Sequence, residues 1–279
     1  MIMNEAALRR AILAVLTVLL SGCISSPMDD ADQIAFSGGL VRHTITTPLF
    51  TYTVFSRIND EKQALHVYIE GDGKAWLSRT QASPDPTPDN PVGLTLAAVD
   101  PAPNVLYLAR PCQFTSLTRN PNCQVTYWTD KRFSPEVIHS ISQALDQVKA
   151  ATHISKLALI GYSGGGAVAA LLAEQRDDIQ SLRTVAGYLD IAYVNQQHNV
   201  SAMPESLNPI DKALQLKRLP QVHFNGEKDR IISPEVARRF VHYTGIRCAS
   251  EISIPDMNHQ GPWARVWPRL LTITPVCHQ

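Results

Sequence analysis

The chain has 279 residues, of which 44% are apolar and 18% charged. That is enough apolar material to bury one substantial core, which excludes disorder as the dominant state. Lys plus Arg balance Asp plus Glu at 25 each, so the chain lacks the broad positive field of a nucleic-acid binder or a general electrostatic binder of anionic membrane.

Residues 1–22 carry Arg9 and Arg10, then an almost wholly apolar run from Ala11 to Leu20, then small residues. This is the layout of a signal peptide, and a run of ten residues is too short to span a bilayer, which takes about 20. Leu20-Ser21-Gly22-Cys23 resembles the bacterial lipobox, in which the Cys becomes the lipidated first residue; the alternative is an ordinary secretory signal with an incidental Cys. The Arg pair lacks the flanks of a twin-arginine signal. With Ile rather than Asp at position 24, the lipobox resemblance implies sorting to the outer membrane, facing the periplasm, with the membrane as partner through the lipid on Cys23. Five cysteines cannot all pair. Assigning Cys23 to lipid leaves four in an oxidising compartment. Cys112 with Cys123 is favoured because the TSLTRNPN between them reads as a loop, and Cys248 with Cys277 follows by elimination. No C-x-x-C or H-x-x-x-H spacing exists, so no metal is expected.

Residues 23–36 are short of bulky apolar side chains and rich in Ser and Asp, and read as a tether. Residues 37–279 then form one domain without a composition shift or internal repeat. Strands are predicted at 51–58, 65–70, 105–109, 156–160, 183–187, 221–225 and 251–254. The apolar-throughout runs, such as LALI at 157–160, suit strands covered on both faces. The first two strands, joined by NDEKQ, suggest an antiparallel hairpin at the sheet edge. Ser134-Pro135 and Ser233-Pro234 are helix starts, and Gly245 is a stop. The alternation predicts an α/β domain with a mostly parallel central sheet and helices on both faces. SPDPTPDNP at 83–91 is a stiff loop.

The segment KLALIGYSGGGAVAA at 156–170 runs from a buried strand through G-x-S-x-G into an Ala-rich helix. This frame places a nucleophile on a sharp strand-to-helix turn, so Ser163 is the candidate nucleophile. A dinucleotide-binding G-x-G-x-x-G would need Gly where Ser163 stands, and GDGK at 71–74 lacks the frame of a phosphate loop. No cofactor is expected. A serine needs a base oriented by an acid. His259 follows the end of the 251–254 strand and is the candidate base. His66 and His223 lie within predicted strands and read as packed, and the remaining six have no strand-end context. Asp229, in G-x-x-D after the 221–225 strand, is the candidate acid, and Asp190 is the alternative.

The oxyanion hole needs the N–H of Gly164 and a donor from the 68–74 loop, where Asp72 and Gly73 are the candidates. A carboxylate there must turn away from developing negative charge, with Lys74 or Arg110 as the expected counter-ion. A hole built only from backbone donors would tolerate Asp72→Asn.

From about Leu65 to Trp267 the chain resembles an α/β-hydrolase. More narrowly it is similar to proteobacterial lipoprotein members with IEGDG (69–73), RPCQ (110–113), WT-x-x-R (128–132) and G-x-S-G-G (161–165). It departs from the common HG oxyanion signature by having Glu70-Gly71. The narrower resemblance implies no substrate; the Ser163, His259 and Asp229 constellation leads to a serine hydrolase of carboxylic esters or related acyl bonds, acting on a small acyl substrate through an acyl-enzyme. The alternatives are an idle site on a binding or scaffold lipoprotein, and an acyltransferase with the same triad. Residues 191–219 are long for a simple connection and suggest a small cap, with Trp76, Tyr127 and Trp128 as candidate pocket lining. No residue sets the oligomeric state.

Overall fold

The computed structural model describes residues 26–278, so the signal-like run and Cys23 lie outside the described residues. In chain order the elements are α1 (Pro27–Ser37), β1 (Val41–Thr46), β2 (Thr51–Ile58), β3 (Leu65–Ile69), α2 (Val92–Ala98), β4 (Asn104–Leu108), α3 (Pro135–Thr152), β5 (Leu157–Tyr162), α4 (Gly164–Ala173), β6 (Ile179–Val185), α5 (Ile191–His198), β7 (Gln221–Gly226), α6 (Pro234–Thr244), β8 (Ala249–Ile254) and α7 (Trp263–Leu271). The strands make one sheet in the order β1-β2-β4-β3-β5-β6-β7-β8. Only β2 runs against its neighbours; the pairings from β4 through β8 are parallel.

Burial follows from this layering. β4, β5 and β7 are buried at every residue, as expected of strands covered on both faces. One core joins the sheet to α3, α4 and α6, and a second joins its other face to α1, α2 and α7. Both Ser-Pro starts are helix starts. The Ser134 hydroxyl accepts from Val137 N–H, and α3 turns Val137, Ile138, Ile141 and Leu145 inward. α6 ends at Gly245, whose φ of 100° suits glycine.

Three expectations are corrected. The strands at 51–58 and 65–70 are not paired: β4 lies between them. Asn104, the first residue of β4, explains the insertion. Its Oδ1 accepts from Asn59 and Asp60 N–H at 3.0 Å each, and its amide donates to Gln63 C=O at 3.0 Å, so the connection wraps over the end of β4 instead of closing a hairpin. The pairing falls instead to β1, a polar strand exposed along most of its length. Residues 27–36 are helix rather than tether. Ser26 and Asp29 form a reciprocal cap with Pro27 in the first turn, and Ala31 and Ala35 are buried against the second core. Finally, β6 starts at Ile179, ahead of the predicted 183. The polar residues before it are satisfied by Asp178, which pairs with Arg176 and Lys149.

Both described disulfides join the expected partners, Cys112 with Cys123 and Cys248 with Cys277. The first closes a short loop after β4, a constraint worth roughly 3 kcal/mol through lost unfolded-state freedom.

His223 in β7 is fully buried. Gln221 donates both amide protons to Leu216 and Leu219 C=O, so its Oε1 must accept from His223 Nε2–H, and Nδ1 accepts from Thr184 Oγ–H. The neutral ring is therefore built in, and burial pulls its pKa down to about 3. The unfolded chain takes up a proton near pH 6.5 that the folded chain refuses. Urea unfolding should show stability intact above pH 6.5 and falling toward pH 3, and His223→Gln should flatten that fall by about 1 kcal/mol per pH unit.

Candidate active site

The turn between β5 and α4 holds Ser163 at φ 50°, ψ −119°, a left-handed setting that costs a non-glycine residue about 1–3 kcal/mol. Local bonds enforce it: Ser163 N–H donates to Val185 C=O at 2.9 Å, and its own C=O accepts from Gly166 and Tyr188 N–H. A Cβ at Gly161 would lie 2.2 Å from Gly165 O, so the turn closes only with glycine there.

His259 Nε2 stands 2.9 Å from Ser163 Oγ, and its Nδ1 stands 2.8 Å from Asp229 Oδ2. The carboxylate only accepts, which puts the proton on Nδ1 and leaves Nε2 free to accept from the serine hydroxyl. Asp229 Oδ1 accepts from Ile231 and Ile232 N–H at 2.8 and 2.9 Å, so one oxygen is anchored to backbone while the other faces the ring. The His259 C=O accepts from Tyr162 O–H and Trp263 Nε1–H, both at 3.0 Å. Tyr162 precedes Ser163 in sequence, so the loop carrying the imidazole is tied to the turn carrying the hydroxyl. Asp190 is elsewhere. It caps α5 through Tyr193 N–H and pairs with Arg239 at 2.8 Å, which occupies both its oxygens.

The 69–73, 110–113 and 128–132 motifs meet behind Ser163. Arg110 Nη1 lies 3.1 Å from Asp72 Oδ1, and Arg132 Nε lies 3.0 Å from Asp72 Oδ2, as an ion pair rather than an aligned hydrogen bond. Lys74, the other expected counter-ion, pairs with Asp89 at the surface instead. Both guanidinium groups stack on Phe133, each 5.1 Å from its centroid. Gln113 accepts from Arg110 N–H and donates to Gly71 C=O. Glu70, buried, accepts from the N–H groups of Gly71, Gly93 and Leu94, and its burial raises its pKa. The Asp72 carboxylate fills the space beside Gly164: a Cβ there would lie 2.0 Å from Asp72 Oδ1. Gly73, at φ 64°, completes the loop. Glu70, Gln113 and Arg132 stood in quoted motifs without assigned roles, because only the fold shows that these segments converge.

Ser163 lies between two clefts, of about 680 and 540 Å³. The larger is walled by Tyr188, Val194, Val200, Met203 and Ile232, so residues 194–203 form the side of a pocket. The stretch Pro209–Leu216 packs into the core instead. The smaller contains His259, Gln260, Lys74, Asp89 and Asn90, and Trp76 borders both. Tyr127 and Trp128 line neither: Tyr127 packs edge-on against Phe50, and Trp128 Nε1–H donates to Ser83 C=O. Among the described residues no group of three His, Cys, Asp or Glu is placed to hold a metal ion.

Residues 103–259 match the family model described as serine hydrolase (FSH1). The chain belongs to this serine hydrolase family. No curated protein sequence matches it. Solved structures similar to this serine hydrolase include lip1, a candidate lipase from Acinetobacter baumannii AYE, at 15% identity and TM-score 0.61 over 91% of this chain and 96% of that one. Est1E from Butyrivibrio proteoclasticus matches at 13% identity and TM-score 0.56, over 83% and 97%. A puromycin-hydrolyzing peptidase from Mycobacterium tuberculosis matches at 14% identity and TM-score 0.58 over 83% of this chain, which spans 37% of the peptidase. These likenesses establish the α/β-hydrolase fold.

Arg110 is 4% exposed, and its only carboxylate partner among the described residues is Asp72. Burial lowers its pKa and Asp72 opposes that shift. Asp72→Asn should therefore cost about 3 kcal/mol of stability in urea unfolding, the scale for stranding a buried charge, while Lys74→Gln costs under about 0.5. Equal effects would remove the distinction between the buried and the surface pair.

Proposed function

We propose that this serine hydrolase is an esterase that acts through a Ser163–His259–Asp229 triad and is anchored to the outer membrane by lipid on Cys23. The observation that carries the reading is the continuous chain of contacts from Ser163 Oγ through His259 to Asp229, 2.9 and 2.8 Å, on a strained strand-to-helix turn.

Ser163 Oγ attacks the ester carbonyl as its proton moves to His259 Nε2, and the Asp229 carboxylate stabilises the resulting imidazolium through Nδ1–H. The oxyanion is received by Gly164 N–H, at the start of α4, with a second backbone donor from the Asp72–Gly73 segment. His259 then gives its Nε2 proton to the alkoxide oxygen as the carbon–oxygen bond breaks. Water attacks the acyl-enzyme by the same route in reverse and regenerates the serine.

That proton transfer assigns the clefts. The leaving alcohol must lie on the imidazole side, in the smaller cleft with Lys74, Asp89, Asn90 and Gln260, which suits a polar alcohol. The acyl group then takes the larger cleft, whose Val194, Val200, Met203 and Ile232 suit an apolar chain.

The anchor rests on the Leu20-Ser21-Gly22-Cys23 resemblance and on Ile24, and two disulfides suit an oxidising compartment. Mass spectrometry of the protein from bacterial membranes should give Cys23 as first residue, carrying a diacylglyceryl group, and no free thiol; an unmodified Cys23 contradicts the anchor alone. A fluorophosphonate should label the wild type and not Ser163→Ala, and water should outcompete added alcohol as acyl acceptor. Folded wild-type protein that resists the probe would contradict the triad, and preferential transfer to alcohol would make the enzyme an acyltransferase.

A further inference from the structure

The mouth of the larger cleft is apolar and open. Trp76, Leu77, Val200 and Ile231 are 47%, 50%, 49% and 51% exposed, large values for side chains of this kind. They come from three separate loops that are joined to one another. Trp76 pairs with Ala82 across a tight turn, in which Leu77 N–H donates to Gln81 C=O. Arg79 donates to His198 C=O, and His198 Nε2–H donates to Ile231 C=O at 2.8 Å. The rim is thus a single built surface.

Two cations belong to the same loops. Arg79 and Arg230 are exposed, and among the described residues neither pairs with a carboxylate. Exposed carboxylates also stand nearby: Asp130 lines the cleft and accepts from the Thr129 hydroxyl, Asp85 accepts from Thr87 N–H, Asp89 pairs with Lys74, and Glu227 shares the loop of Arg230 without lining either cleft. Apolar side chains beside arginines that pair with no carboxylate among the described residues match a surface that is anionic outside and hydrocarbon beneath.

The amino end of the described chain points the same way. The turn at 38–40 reverses α1 onto β1, and Asp32 in α1 pairs with Arg42 in β1 at 3.0 Å, so the helix runs antiparallel to the strand. β1 starts at the sheet edge opposite Ser163, because Val41 pairs with Ser56 near the end of β2, and β2 opposes β4. The first turn of α1 therefore faces the edge that bears the site. Three residues separate Cys23 from Pro27, four Cα-to-Cα steps that span roughly 13 Å when fully extended.

We propose that the Trp76–Leu77–Val200–Ile231 rim, with Arg79 and Arg230, docks on the surface of an anionic phospholipid bilayer, so that the larger cleft opens onto the lipid. A lipid on Cys23 would hold this face toward the membrane that carries it. The docking face extends the anchored-esterase reading, yet its test needs neither turnover nor lipidation to succeed.

Of the four tryptophans, Trp128, Trp263 and Trp267 are buried, which makes Trp76 a local probe. Full-length protein is combined with vesicles of phosphatidylcholine and phosphatidylglycerol, with and without bromine on the phosphatidylcholine chains. Wild-type emission should be lower in brominated vesicles by about a quarter, the share of one tryptophan in four, and Trp76→Phe should show no difference. Leu77→Glu with Arg230→Glu, at positions lining neither cleft, should lose the quenching while hydrolysing a soluble short-chain ester at the wild-type rate. Equal wild-type emission in both vesicle types, or full quenching in the double variant, overturns the docking face. Loss of soluble-ester hydrolysis in wild-type protein would instead count against the esterase reading.

Discussion

Ser163 occupies a backbone conformation that an L-residue holds only when its neighbours enforce it, and much of the site follows from how they do so. β5 delivers the residue from a fully buried strand, Val185 and Tyr188 hold its peptide groups, and Gly161 lets the chain reverse at contact distance. Tyr162, fixed by the same strand, reaches across to the His259 carbonyl. The serine turn and the histidine loop are therefore positioned by one element. Displacement of β5 would move both ends of the Ser163–His259 contact, whereas Asp229 is set independently by backbone N–H groups of its own loop.

The second constraint is electrostatic. On the proposed mechanism a carboxylate beside the nascent oxyanion should oppose catalysis, and Asp72 stands beside Gly164. Its charge is shared by Arg110 and Arg132, which leaves the three-residue cluster at net +1, and the arginines in turn clamp Phe133. Glu70 and Gln113 hold the flanking backbone. On the proposed mechanism Glu70-Gly71 is tolerated in place of an HG signature because the Glu70 carboxylate is turned onto the N–H groups of α2. The glycine at 164 is then explained by space as well as by turn geometry, since a larger residue would meet the Asp72 carboxylate.

The parts legible in the sequence were those with dense local signals. The LALI run, G-x-S-x-G and the Ser-Pro helix starts each need only a few adjacent residues, and they led to β5, α3, α4 and α6. The parts that were not legible depend on distant partners. β1 carries Arg42, His43 and two threonines with little apolar alternation, and it is a strand because β2 needs an edge partner. The β2–β3 turn resembles a hairpin until Asn104, more than forty residues later, is seen inside it. Asp190 and Asp229 both follow strands, and the choice between them lies with Arg239, which occupies one and leaves the other facing His259. The α1 signal was present in Ser26-Pro27 and Asp29, but the acidic composition of the segment obscured its cap.

The most direct test of this account is the crystal structure of the protein after reaction with an alkyl p-nitrophenyl phosphonate. The account predicts phosphorus bonded to Ser163 Oγ and a phosphonyl oxygen accepting from Gly164 N–H and from a backbone N–H of the Asp72–Gly73 segment. Asp72 should still be paired with Arg110 and Arg132, and the alkyl chain should lie in the cleft beside Val200 and Met203. A phosphonyl oxygen turned away from Gly164 N–H, or an adduct on any other residue, would contradict it.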